Sequence, residues 1–166
     1  MPLPIAHALV GASVAAVLIS PSDPQRLRKI ALGGFLAITP DFDFFFVWVL
    51  GLDRGWHRGF MHSIVFAFGI GAAAYFAGPW QKRTRDLWAY CLAMTSHGLL
   101  DATFSVDGGG VRLFWPFTDG RYRFGFSRLL ESNESLYGML SQSALEVVIF
   151  LPIFALVLWL CGLRRE

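Results

Sequence analysis

The stretch that decides the fold is Ala144-Leu-Glu-Val-Val-Ile-Phe-Leu-Pro-Ile-Phe-Ala-Leu-Val-Leu-Trp-Leu-Cys-Gly-Leu163, twenty residues with a single charge at Glu146. A membrane-spanning helix needs ~17–25 predominantly apolar residues, and this run meets that length. Working back toward the N-terminus, four more apolar segments appear: Leu87–Phe104, Phe60–Gly78, Ile30–Leu50 and Leu3–Ser20. Phe60–Gly78 is the other clean one, and its small residues (Ala67, Gly69, Gly71 and Ala72 to Ala74) suit the close helix approach that drives packing in lipid. Leu3–Ser20 and Leu87–Phe104 sit near the short limit. Pro40 interrupts Ile30–Leu50 and predicts a kink or an end there. The prediction is an all-α, polytopic transmembrane bundle of about five helices, with a long loop at Ser105–Ser143 between the fourth and fifth.

Composition agrees. Of 166 residues, 55% are apolar, against ~45–50% for an ordinary soluble domain. The length suits a single domain over residues 1–166. The net charge is +2 and the basic residues are scattered, which argues against nucleic acid as a partner. Cys91 and Cys161 lie in apolar stretches and read as small buried hydrophobes. No basic residue precedes the first apolar run, so it reads as a retained segment and not a signal peptide. With five spans, three basic groups fall on one side: Arg26, Arg28 and Lys29; Lys82, Arg83 and Arg85; Arg164 and Arg165. The positive-inside rule makes that side cytoplasmic. The C-terminus is then cytoplasmic, and the Asp41–Gly59 region is extracytoplasmic, consistent with a bacterial inner membrane.

The chemistry-bearing residues collect on the opposite side. His7 is near the outer end of the first segment, Asp41 and Asp43 follow Pro40, His57 and His62 flank the start of the third, and His97 and Asp101 lie toward the outer end of the fourth. These are all four histidines of the chain. A carboxylate at the membrane centre costs about 2.5–3.5 kcal/mol on insertion scales, and three of them need compensation. Arg54 and Arg58 are the only cations close in sequence; a divalent cation would neutralise more charge and use the imidazoles as well. Nitrogen and oxygen donors of this kind suit zinc, manganese or iron. His97 and Asp101 are four apart and share one helix face. His57 and His62 are five apart, so one alone is expected to touch a metal directly. Of Asp41 and Asp43, one could ligate while the other orients a histidine. Ser63 and Ser96 read as capping or packing residues, and no role at a metal is assigned to Glu131, Glu134 or Glu146.

In the Ser105–Ser143 loop, Gly108 to Gly110 precede Phe114-Trp115-Pro116-Phe117, and Arg121, Arg123 and Arg128 alternate with Tyr122, Phe124 and Phe126. One reading is an interfacial aromatic belt with snorkelling arginines. The other is a lid that holds an anionic lipid headgroup through the planar forks of its arginines.

His7, Pro40-Asp41-x-Asp43, His57-Arg58-Gly59-x-x-His62-Ser63 and Ser96-His97-x-x-x-Asp101 together resemble the YdjM family, described as membrane-bound metal-dependent hydrolases. The resemblance runs from about His7 to Pro116. The family is in turn distantly similar to zinc-dependent phospholipase C and related nucleases, helical enzymes that cleave phosphoesters. That similarity implies His7, one of Asp41 and Asp43, His62, His97 and Asp101 as metal ligands, with Asp101 shared between ions. The chain lacks the further histidines and the His-x-x-x-Glu pair that the phospholipases carry downstream, which implies one or two ions.

The expected function is hydrolysis of a phosphoester in a lipid or lipid-linked substrate by metal-activated water, because a bound metal can bring the pKa of its water to about 7. Zinc is the expected ion. Asp43, His57, His62, His97, Asp101 and His7 are its candidate ligands; Asp41 and Asp43 are candidate general bases, and Arg58 a candidate stabiliser of phosphoryl charge. Membrane lipids and an anionic headgroup are the expected partners. Two other classes fit the composition: a metal transporter, which needs polar groups in both membrane halves where the cytoplasmic halves read as apolar, and a non-enzymatic structural or regulatory membrane protein.

Overall fold

The computed structural model describes residues 2–78, 83–104, 109–125 and 135–163. Among these described residues, five α-helices form: α1 (Pro4–Leu18), α2 (Arg26–Leu36), α3 (Ile64–Ala77), α4 (Thr84–Phe104) and α5 (Leu136–Leu163). There are no β-strands among the described residues, only one antiparallel bridge between Val111 and Tyr122. The all-α architecture is as predicted.

Helix α4 is the axis of the bundle. It packs on α1, α2 and α3, while α1 also packs on α2 and α5. Small residues permit the tight α1–α2 contact: a Cβ added to Gly11 would sit 2.3 Å from the Ala37 Cβ, and one on Gly33 2.6 Å from the Ala15 Cβ. Ala12, Ala15, Ala16, Ile19, Ile30 and Ala89 form the core there. Dense packing through small side chains is what holds helices together when lipid removes the burial incentive.

Element boundaries depart from the apolar runs for identifiable reasons. Helix α2 stops at Leu36, short of Pro40, and the chain continues as a 3-10 turn over Thr39–Asp43 and a wide turn over Phe45–Val49. Phe60–His62 is a separate 3-10 turn, and the stretch Arg54–His62 meets α3 at a bend of 57°. Helix α5 begins eight residues before Ala144, because Gln142 and Glu146 turn inward and are buried. By length and apolarity, Arg26–Val49 and Leu136–Gly162 can cross a membrane, and the bent pair ending at Ala77 can form a third crossing. Helix α4 is sheltered by its neighbours, so it tolerates Asp86, His97 and Asp101 without presenting them to lipid.

The end of the bundle formed by the C-terminus of α1 and the N-termini of α2 and α4 was expected to be apolar and is not. Lys29 is fully buried and pairs with Asp23 at 2.8 Å and with Asp86. Burial alone would raise the Asp23 pKa, but the Lys29 ammonium and the Gln25 N–H outweigh it and hold that carboxyl below its ordinary value. Lys29, counted in the sequence among the basic groups on one side, thus supplies an internal ion-pair clasp between the α1–α2 connection and α4.

Candidate metal centre

The opposite end of the bundle gathers the N-terminus of α1, the C-terminus of α2, the turn entering α3 and the C-terminal third of α4. Each brings chemical groups to the site, and the local structure aims them.

His97 is the best anchored. Its Nδ1 lies 2.7 Å from the carbonyl of Ala37, the residue that closes α2. The last carbonyls of a helix have no partner within the helix, so α2 lends one to the imidazole. A carbonyl can only accept, which places the proton on Nδ1 and leaves the lone pair on Nε2, facing the centre. Asp101 follows one turn later and is 0% exposed. The 3-10 turn after Pro40 directs Asp41 Oδ1 to 3.4 Å from His97 Nε2 and 3.9 Å from His62 Nε2. Asp101 Oδ2 lies 3.5 Å from His62 Nε2 and 3.8 Å from His97 Nε2.

Asp41, His62, His97 and Asp101 therefore present two nitrogens and two oxygens, all within 4.8 Å of one another. Ligand atoms about 2.0–2.1 Å from a tetrahedral zinc stand roughly 3.3 Å apart; the nitrogen–oxygen pairs at 3.4–3.9 Å need close by only a few tenths of an ångström, and the widest pair, within 4.8 Å, by up to about 1.5 Å. Protein groups do not satisfy these atoms: Asp41 Oδ1, His62 Nε2, His97 Nε2 and both Asp101 oxygens are buried without a hydrogen-bond partner among the described residues. Leaving a charged carboxylate buried and unpaired costs several kcal/mol. Arg58 Nε, at 3.9 Å from Asp101 Oδ2, is beyond hydrogen-bonding distance. The donor chemistry and the orphaned atoms fit a divalent cation.

A match to the family model for the YdjM inner membrane protein extends over residues 1–165. The chain belongs to the YdjM family. A curated relative, inner membrane protein YbcI of Escherichia coli (strain K12), is 37% identical over 128 residues, which cover 74% of this chain and 72% of the relative. No solved structure matches.

The remaining sequence candidates in this YdjM-family chain occupy a surrounding layer. His7 is buried, stacks on His97 with ring centroids 3.8 Å apart, and sets its Nε2 3.4 Å from the other oxygen of Asp101. Both His7 nitrogens lack a hydrogen-bond partner among the described residues. Asp43 does not point into the four-atom group. Its Oδ1 meets His57 Nδ1 at 2.8 Å, its Oδ2 accepts the Arg58 N–H at 2.7 Å, and Oδ2 also lies 3.3 Å from His62 Nδ1. Asp43 thus stands behind the His62 ring, the place from which carboxylates commonly orient metal-binding histidines. His57 is likewise outside the group; its Nδ1 meets Asp43 and its side chain is 23% exposed. Arg58 adopts φ 55°, a left-handed conformation that costs a non-glycine residue about 1–2 kcal/mol, and the Asp43 bond helps hold it there.

Ser63 caps α3 by accepting the Phe66 N–H at 3.1 Å, and Ser96 bonds the Ala93 carbonyl. Two residues had no functional reading in the sequence. Gly98 lets α4 approach the His62 turn, since a Cβ there would lie 2.4 Å from the His62 carbonyl oxygen; its position beside His97 was a signal, but its neighbour is remote in the chain. Glu146 of α5 accepts the backbone N–H groups of Leu3 and Ala6. These are orphan donors of the first turn of α1, and a carboxylate also suits that positive helix end. Glu146 thus holds the helix that carries His7. Arg121 does not reach out as a lid residue: its guanidinium donates to the carbonyls of Gly55 at 2.8 Å and Gly110 at 3.1 Å. Gly108, Phe126, Arg128, Glu131 and Glu134, with Lys82, Arg164 and Arg165, lie outside the described residues.

Proposed function

We propose that this inner-membrane protein is a metal-dependent hydrolase that cleaves a phosphoester in a lipid or lipid-linked substrate, with its site on the extracytoplasmic side. The observation that carries the reading is the Asp41–His62–His97–Asp101 group, buried except for a partly exposed Asp41, whose inward atoms have no hydrogen-bond partner among the described residues. Those four side chains would hold one ion, best met by zinc's preference for mixed nitrogen and oxygen donors, and His7 beside the other oxygen of Asp101 offers a donor toward a second. When bound, the metal supplies Lewis-acid polarisation of the phosphoryl oxygen and acidification of water.

The chain's own groups complete the chemistry. A carboxylate can only accept from His57 Nδ1, so the Asp43–His57 pair leaves Nε2 as a proton acceptor on the partly open side of the site. His57 would take a proton from the attacking water as its oxygen bonds to phosphorus, and would return it to the ester oxygen as the P–O bond breaks. Asp43 stabilises the imidazolium formed between those steps. Arg58 adds positive charge where the phosphoryl oxygens gain negative charge.

Elemental analysis and turnover of a phosphodiester lipid by the detergent-purified protein test this together. His97→Ala should lose both metal and activity. His57→Gln should keep the metal and lose activity about 100-fold or more, in line with removal of a general base. A metal-free wild-type protein would overturn the proposal. The transporter reading draws on the Asp23–Lys29–Asp86 cluster at the other end of the bundle, but there a fixed ammonium already neutralises the carboxylates. Proteoliposome uptake of zinc separates that reading, and metal content separates a purely structural role.

A further inference from the structure

A cavity of about 310 Å³ opens beside the centre, lined by Asp53, Gly55, Trp56, Gly59, Phe60, Arg112 and Trp115. Its size is at the lower end of the range for small-molecule sites. Gly59 and Phe60 join Arg58 to the turn that ends in His62, so the cavity wall and the metal group share one short segment. The Arg112 N–H bonds the Arg58 carbonyl at 3.2 Å, tying the other wall to the same point.

The walls combine aromatic surface with positive charge. The Phe60 ring lies 5.7 Å from Trp115 and 6.0 Å from Trp56, centroid to centroid. Arg112 Nε is buried and has no hydrogen-bond partner among the described residues; the ion pair of this side chain goes through Nη1 to the exposed Asp119 at 3.4 Å. Burial, and then the neighbouring charges of Arg112 and Arg58, push the Arg121 guanidinium below its ordinary pKa, as befits three arginines gathered in one place. Asp53 is the one acidic group of the lining, and its Oδ1 is engaged by the Gly55 N–H at 2.7 Å. Outside the cavity, Phe44, Phe45, Trp48, Phe114 and Phe117 are exposed. Exposed aromatics of this kind belong at headgroup depth in a bilayer.

We infer that this cavity seats the phosphate of an anionic glycerophospholipid headgroup, with Arg112 as its charge partner and Trp56, Phe60 and Trp115 against the glycerol and upper acyl carbons. As a substrate class the assignment rests on the hydrolase reading; as a binding site it is tested without turnover. The planar guanidinium donates two parallel hydrogen bonds to a phosphate, which an ammonium cannot reproduce. The aromatic rim selects a phosphate that arrives from the leaflet over one that arrives from water.

The test is native mass spectrometry of the full chain in detergent, titrated with phosphatidylglycerol, phosphatidylcholine or inorganic phosphate, with metal content measured on the same samples. The wild type should retain phosphatidylglycerol over phosphatidylcholine, and Arg112→Gln should weaken that retention about tenfold or more, the value of a charge-assisted bond, with metal content unchanged. Arg112→Lys should fall between them, and it decides the matter if the glutamine variant does not fold. Equal retention by wild type and both variants would overturn the pocket, as would loss of metal together with lipid, which would make Arg112 a structural residue. Displacement of the lipid by millimolar inorganic phosphate would overturn the lipid assignment in favour of a soluble phosphate. A preference for phosphatidylglycerol in a protein that holds no metal would support the pocket while removing the hydrolase reading.

Discussion

Replacing Gly98 by alanine tests the metal centre through a residue that carries no ligand. The added Cβ would lie 2.4 Å from the His62 carbonyl oxygen and 3.1 Å from Leu113 Cδ2, whereas ordinary contacts begin near 3.4 Å. The obstructing atom is backbone, so the His62 turn must withdraw by about 1 Å. Metal–ligand distances tolerate about 0.2 Å, so His62 can no longer share an ion with His97 and Asp101. Removing only the groups that orient a ligand costs ~10–100-fold in affinity, and displacing the ligand itself should cost at least as much. Stability should change little: overpacking costs about 1–3 kcal/mol, while alanine in a helix regains about 1 kcal/mol over glycine. The measurement is zinc titration of apo-protein in detergent, with circular dichroism melting on the same material. A folded Gly98→Ala protein that binds zinc as tightly as the wild type would refute the assignment of His62 to the centre.

Four further outcomes are expected. Chelation should lower the melting temperature, because an ion at 100 times its dissociation constant adds about 2.7 kcal/mol; an unchanged melt after verified metal removal counts against a structural contribution from the site. Glu146→Leu should leave the first-turn N–H groups of α1 without an acceptor, costing about 1–3 kcal/mol, and should weaken metal binding less than His97→Ala does. Lys29→Met removes the partner of two buried carboxylates and should cost about 3–5 kcal/mol, far more than a substitution at exposed Arg28. Because Lys29 holds the Asp23 carboxyl below its ordinary pKa, the stability from that pair is fully present above the ordinary carboxylate value and is lost as pH falls through the lower, folded value. Melting curves from pH 6 downward should show that loss in the wild type and a smaller one in Lys29→Met.

Much of the site was legible because it is written in short-range patterns. His97 and Asp101 share a face by helical periodicity alone, and Pro40 announced the turn that carries Asp41 and Asp43. The division of labour between those two aspartates was not legible, since they are two residues apart in a 3-10 turn and only the approach of His57, Arg58 and His62 from another segment decides which one looks inward. His57 and His62 were likewise distinguishable only once His62 Nε2 was seen to face Asp41 and Asp101 while His57 stays outside that group. The start of α5 was misplaced because a polarity scan takes Ser141 and Gln142 for loop, whereas Gln142 and Glu146 are buried on the inward face and bonded to each other at 3.1 Å.

By itself the chain of residues determined that helices form, that they are apolar enough to be sorted into a membrane, and that seven imidazole and carboxylate groups must come to one end of the bundle. Alternation of direction from helix to helix favours this, since His7, His57 and His62 lie near the start of their segments, Asp101 near the end of its own, and Pro40 breaks the second segment just ahead of Asp41 and Asp43. Tertiary structure alone decided which atoms face one another. Contacts such as Gly98 with His62, Ala37 with His97 and Glu146 with the start of α1 join positions far apart in sequence. Their geometry follows from how closely the helices pack, a quantity that no local pattern encodes.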